Sequence, residues 1–185
     1  MTSSPITDPK ALRALSHPFR WKLLQLLIEE GPRTATQCSE TLGESVASCS
    51  YHLNMLAKYG FVEEVEGPGR QKPWKIVPKR QSISSDGLEG EAAMAAEAAA
   101  MAYLDQEFER IRDRLRLREH LPEEWRPAVG TEGTVKFLTA EEAVEYLAEL
   151  QALLDKYDER RLDATLRPDG SRAVRFFLSS TVAPE

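Results

Sequence analysis

Between Ser45 and Lys58 the apolar residues Cys49, Leu53 and Leu56 recur at i, i+4 and i+7, and Val46, Ala47, Ser48, Ser50, Tyr51, Asn54 and Lys58 stand between them. That spacing predicts a helix with one buried stripe and one outward side. The outward side has the chemistry of base-edge recognition. Serine donates or accepts, asparagine bridges adenine, an alanine methyl meets the thymine methyl, and small residues near the start let the helix approach closely. Ser45 stands where an N-cap is wanted, because its hydroxyl takes up an orphan backbone N–H. His52 reads as a cap or a hydrogen-bonding group near a sugar-phosphate backbone. After Gly60, FVEEVEGPGRQKPWKIV reads as two extended stretches around Gly67, Pro68 and Gly69. Arg70, Gln71 and Lys72 lie at or just past that tip, and Lys75, Lys79 and Arg80 extend the positive strip. Beside such a helix, a basic tip suits phosphates or a minor groove; by itself it would read as a solvated loop.

These groups need a scaffold, and the preceding sequence supplies one. Ala35, Cys38 and Leu42 share a helical face, and Gly43 provides a turn ahead of Ser45. A longer helix is predicted from about Pro18 to Glu30, capped by Ser16 or His17 and stopped by Gly31 and Pro32, with Phe19, Leu23, Leu26 and Leu27 on its apolar face. Trp21 reads as core or a dimer contact, with core the safer reading. A short helix from about Asp8, bearing Leu12 and Leu15, precedes it. Arg20, with Lys22, and Thr34, Thr36 and Gln37 at the head of the next helix are assigned to backbone phosphate. Two short helices across a tight turn, followed by a glycine-tipped hairpin, outline a winged helix-turn-helix.

At these residues the chain resembles the ArsR-type winged-helix transcriptional regulators, through ALSHPFRWKLLQLL, the turn LGES, and SYHLNMLAKYGFVEE leading into the wing. The resemblance covers about residues 8 to 80 and is most specific at Ser50, His52 and Leu53 and at Gly60, Phe61 and Val62. It implies a homodimer on operator DNA, usually a repressor. Metal-sensing members carry closely spaced cysteines in the helix before the recognition helix, whereas here Cys38 is followed by Ser39, so no metal sensor is implied.

Composition bounds the alternatives. With 185 residues, 42% hydrophobic and 29% charged, the chain has the makeup of a soluble globular protein of one or two domains. No apolar run approaches the roughly 18 residues of a membrane span. MTSSPITDPK has no signal-peptide core, so a cytoplasmic protein with reduced thiols is expected. Cys38 and Cys49 read as small core residues, not as a disulfide framework. The net charge of −6 divides unevenly: residues 1–80 hold 11 Lys and Arg against 8 Asp and Glu, and residues 81–185 hold 13 against 22. The first part is therefore mildly basic, and the acidic part should face away from DNA. His17, His52 and His120 fall in different elements and make no ligand set, so no metal or cofactor is expected. Phosphate-cradling glycine loops, HExxH and GxSxG are missing, which argues against an enzyme.

Beyond Arg80, QSISSDGLEG reads as a linker, and from about Gly87 to His120 the chain is rich in Ala, Glu and Arg. Met94, Met101, Leu104, Phe108, Ile111 and Leu115 follow a heptad seam that reads as a dimerisation surface, or else as one helix covering its own core. The arginines Arg110 to Arg118 alternate with acids or apolar residues and, with Glu107, Glu109, Asp113 and Glu119 nearby, read as a salt-bridged face. Thr139 with Glu142 makes a capping box for a helix to about Arg161, lined by Ala143, Leu147, Leu150, Leu154 and Tyr157. Val135 and Phe137 before it, and Val174, Phe176 and Leu178 after it, alternate as strands do. The expected fold is mainly α with small β: a winged helix-turn-helix at 8–80, then at 81–185 a long dimerisation helix and a small α+β accessory unit. Tyr103, Phe108, Trp125, Phe137 and Tyr146 either line a small-molecule effector pocket in that region or are plain core. The expected partners are an operator duplex and a second copy of the chain, with half-sites about 34 Å apart. The rival reading is a winged helix used for protein interaction without DNA, favoured by the acidic total charge and by Val46 and Tyr51 on the outward face.

Overall fold

The chain enters through a two-residue strand, β1 (Ser4–Pro5), and Asp8 then starts α1 (Pro9–Leu15) by accepting the Lys10 amide at 2.9 Å. His17 starts α2 (Pro18–Glu30) in the same way, its Nδ1 accepting the Phe19 amide at 3.2 Å. Both helices open on proline, where a missing N–H costs nothing. This computed structural model describes residues 4–78 and 81–183, so Lys79 and Arg80 of the expected basic strip lie outside the described residues. The chain divides into two units, Met1–Leu117 and Arg118–Glu185.

In the first unit, α3 (Ala35–Leu42) begins with a complete capping box, Thr34 and Gln37 each accepting the other's amide at 3.2 and 2.9 Å. Gly43 ends it at φ 72°, a left-handed conformation that glycine adopts without cost. Ser45 then caps α4 (Val46–Lys58), its hydroxyl accepting the Ser48 amide at 3.1 Å. Strands β2 (Val62–Glu64) and β3 (Trp74–Ile76) form an antiparallel hairpin in the register Val62–Ile76, Glu63–Lys75 and Glu64–Trp74. Arg33, between α2 and α3, bonds to Trp74 in both directions at 3.0 and 2.8 Å and lengthens this sheet by one bridge. The segment expected as a linker contains β4 (Gln81–Ser82), which pairs in parallel with β1.

The core lies where α2 meets its neighbours. Leu12, Leu23, Cys38, Cys49, Leu53 and Leu56 are fully buried, with Val62 and Trp74 sealing the wing side. Each such leucine contributes roughly 2 kcal/mol of burial. Trp21 is half-buried, donating to the Leu15 carbonyl at 2.6 Å and lying 4.8 Å from the Tyr103 ring.

The long helix is α5 (Gly90–Arg116), and it packs on α1 and α2 as part of the first unit. Its buried side is Ala95, Ala96, Ala99 and Ala102, which face a helix that also offers Ala11 and Ala14. Small residues on both sides allow close approach, and the heptad residues are turned the other way. Met94 is 72% exposed and Met101 58%; Phe108 is also exposed, while Leu104, Ile111 and Leu115 are half-buried. The seam is thus not what covers the domain's own core.

Polar contacts pin the C-terminal half of α5. Glu107 is fully buried, accepts from Gln25 Nε2 at 3.0 Å and pairs with Arg110 at 3.1 Å. Arg110 and Arg114 both reach Glu29 on α2, at 2.5 and 2.9 Å, and Lys22 faces Glu109 at 3.5 Å. Lys22 thus has an acidic partner on α5 while 44% of its side chain stays exposed.

The second unit contains α6 (Ala140–Asp155), whose Thr139–Glu142 capping box is complete, and a short α7 (Glu159–Leu162). The helix expected to run to Arg161 ends at Asp155, where Lys156 turns extended at ψ 127° and Tyr157 follows at a φ of 72° that a right-handed helix does not accommodate. The stretches at Val135 to Phe137 and Val174 to Leu178 carry no regular structure and form no strand ladder among the described residues, so the sheet expected in the α+β unit is not formed there. Its arginines work locally: Arg126 bonds to the carbonyls of Leu121 and Glu119, and Arg172 lies over the Trp125 ring. No residue of this unit is fully buried among those described.

Removing the Arg110 guanidinium takes its ion pair away from the buried Glu107 carboxylate, so Arg110→Ala is expected to lower unfolding stability by about 3 kcal/mol. Urea titration followed by circular dichroism checks this; a loss within about 0.5 kcal/mol of zero would show the pair to be idle.

Candidate nucleic-acid interface

The stripe of α4 that packs inward consists of Cys49, His52, Leu53 and Leu56. Its opposite edge carries Ser45, Val46, Ala47, Tyr51, Asn54 and Lys58, all exposed, with Ser48 and Ser50 half-buried beside them. Tyr51 is 60% exposed, too open to be core. Asn54 donates to the Ser50 carbonyl at 2.8 Å along its own helix. Ser39 Oγ donates to the Glu44 carbonyl at 2.5 Å and fixes the turn between α3 and α4.

Two assigned contacts are corrected. His52 is only 9% exposed and Arg20 only 8%, so neither presents its polar group to a duplex. Arg20 Nε donates to His52 Nδ1 at 3.2 Å, and its Nη1 donates to the Ala14 carbonyl at 2.7 Å. Charged and imidazole side chains ordinarily stay outside unless paired, and here the two pair with each other. His17, separate from His52 in sequence, lies 4.5 Å from it between ring centroids, and Phe19 and Tyr51 set their rings edge-on to it at 5.2 and 5.1 Å. Thr34 and Gln37 are occupied by their capping box, while Thr36 is exposed on the same turn.

The wing presents Arg70, Gln71 and Lys72 to solvent at its tip. Gly67 permits that tip, because a Cβ there would sit 2.7 Å from the Pro73 ring. Sequence reading missed how acidic the wing is. Lys75 pairs with Glu63 at 3.1 Å and Lys72 with Glu64 at 3.6 Å, and Glu66 is exposed, which leaves Arg70 without an ion-pair partner among the described residues. The run VEEVE held that signal, since a two-residue period places Glu63 across from Lys75.

Burial and the nearby charges of His17 and Arg20 hold the His52 imidazole below its ordinary range. Partial burial and Arg20 do the same for His17. Burial pushes the Cys38 thiol up to about 11, with Cys49 adding to it, and burial raises Cys49 too. Both cysteines are free, and such thiols make poor nucleophiles. Among the described residues no group of three or more His, Cys, Asp or Glu is placed to hold a metal ion, and no helix is long and apolar enough to cross a membrane. Of the aromatic residues suggested as pocket lining, Tyr103 packs at a tilt against Trp21, and Phe137 and Tyr146 are exposed.

Residues 15–65 match a family model described as a helix-turn-helix domain. That segment begins at the end of α1 and runs through α4 and β2, and with the hairpin it forms a winged helix-turn-helix fold. A solved structure described as the crystal structure of transcriptional regulator Tm0710 from Thermotoga maritima is 14% identical, with 77% of this chain and 79% of that one covered and a TM-score of 0.33. No curated protein matches.

Since both imidazoles sit below the unfolded value of 6.5, their contribution to stability is full above that pH and is lost as pH falls through the folded values. Thermal melts are expected to show a midpoint that is flat from about pH 8 to 6.5 and drops below it, beyond what a His17→Asn variant shows. Identical profiles for the two chains would remove His17 from the account.

Proposed function

We propose that the chain is a homodimeric, sequence-specific DNA-binding transcriptional regulator. The observation that carries this reading is the open edge of α4, small and hydroxylic at Ser45, Ala47 and Ser48, amide-bearing at Asn54, and next in the chain to an exposed wing. In this reading α4 enters the major groove, Ser48 and Asn54 meet base edges, and Arg70, Lys72 and Lys58 meet phosphates. The exposed methionine seam of α5 joins two copies, which sets the half-sites about one helical turn apart. The ArsR-type resemblance favours repression, a cytoplasmic setting and a non-enzymatic role.

The wing's acids shape the expectation. Three acidic and three basic side chains between Glu63 and Lys75 nearly cancel, so phosphate attraction is modest and two protomers are needed. The same near-neutrality, with Val46 and Tyr51 exposed, supports the rival reading of a protein-interaction module.

Duplexes selected from a random library should bind with log affinity falling against log salt at a slope of about −5 for roughly six neutralised phosphates per dimer. Arg70→Ala is expected to weaken all sequences and reduce that slope by about 2 per dimer, whereas Asn54→Ala changes the preferred sequence. Selection that enriches no duplex, together with one stoichiometric protein partner in a pull-down, would replace this reading with the rival. For the dimer, Met101→Glu should give a monomer in sedimentation analysis; a wild-type chain that is already monomeric at micromolar concentration would remove the seam's role.

A further inference from the structure

The contact between α2 and α4 is polar where the surrounding core is not. His17 accepts the Phe19 amide through Nδ1, and His52 accepts Arg20 Nε–H through Nδ1, each at 3.2 Å. With Nδ1 as acceptor, each ring is neutral and carries its single proton on Nε2. Protonation of either ring places an N–H where an acceptor is required. Protonation of both sets two cations 4.5 Å apart beside a third, Arg20, whose other arm is committed to the Ala14 carbonyl. The charged and titratable groups facing this cluster are Arg20 from α2, Glu44 from the turn before α4, Tyr51 on α4, and Tyr59 at its C-terminal end. Glu44 alone adds a negative charge at neutral pH, and it is exposed.

We infer that His17, Arg20 and His52 position α4 for DNA and do so only while both imidazoles are neutral, so that acidification unseats the helix and releases the duplex. This rests on the DNA-binding reading. Its sign is distinctive, because added positive charge ordinarily strengthens binding to a polyanion. Burial and neighbouring positive charge keep both rings neutral near pH 7, in agreement with the hydrogen bonds. His52 reaches base-contacting residues through its own helix, with Tyr51 adjacent and Ser48 one turn earlier.

The test uses the full-length chain and a duplex selected at about pH 7.5, with anisotropy titrations at constant salt at about pH 7.5 and 5.5. The wild type is expected to weaken about tenfold or more on acidification. A His17→Asn/His52→Gln double variant retains acceptors that do not titrate, and its affinities at the two pH values are expected to agree within about twofold. Should the double variant not fold, His17→Asn alone, at an exposed cap, is expected to halve the logarithm of the wild-type effect. In the DNA-free protein, imidazole resonances should titrate with midpoints below 6.5, with amide shifts from Tyr51 to Leu56 following them. Unchanged or tighter wild-type binding in acid, an equal loss in the variants, or midpoints at 6.5 or above would overturn the inference. A wild-type chain that binds no duplex at about pH 7.5 rejects the DNA reading and the release step, while the NMR titration still judges the cluster.

Discussion

Taking a guanidinium out of water is costly unless its donors find partners, and Arg20 places Nε and Nη1 on groups from two other segments. One partner is the Ala14 carbonyl at the end of α1, and the other is the His52 ring inside the stripe that α4 buries. The rotation of α4 about its axis is thus set by a directional bond as well as by the fit of Cys49, Leu53 and Leu56. Which residues look outward is the complement of that choice. If α4 turned by one residue, about 100°, Arg20 would be left unsatisfied, and the open edge would pass from Ser and Asn to whatever came next.

Much of this architecture was legible in the chain. Caps at Ser45 and Thr139, a cap at Ser16 or His17, the left-handed turn at Gly43 and the stop at Gly60 are local devices whose chemistry is complete within a few residues. The helical stripes of α2 and α4 were equally clear, because periodicity needs no knowledge of the partner. The open edge of α4 and the exposed wing tip follow from the same patterns.

What stayed hidden depends on pairs distant in sequence. Arg20 and His52 are separated by 32 positions, and nothing in either neighbourhood announces that they meet. Glu107 is another case: among the many acids of α5 it is fully buried because Gln25, 82 positions away, and Arg110 converge on it. The heptad residues of α5 were visible, yet alanine won the core-facing side, because a short helix rich in small residues was there to receive it. In the second unit, alternating apolar residues suggested strands, but alternation supplies no hydrogen-bonding neighbour.

The alanine seam has a mechanical consequence. Each methyl group removed from water contributes only about 0.8 kcal/mol, so the first half of α5 relies on many small contacts with α1 and on the Arg13–Glu91 pair, whereas its second half is tied by Gln25, Glu29, Glu107 and Arg110. The two halves of the helix are thus held by different physics, methyl packing along α1 and ion pairs to α2.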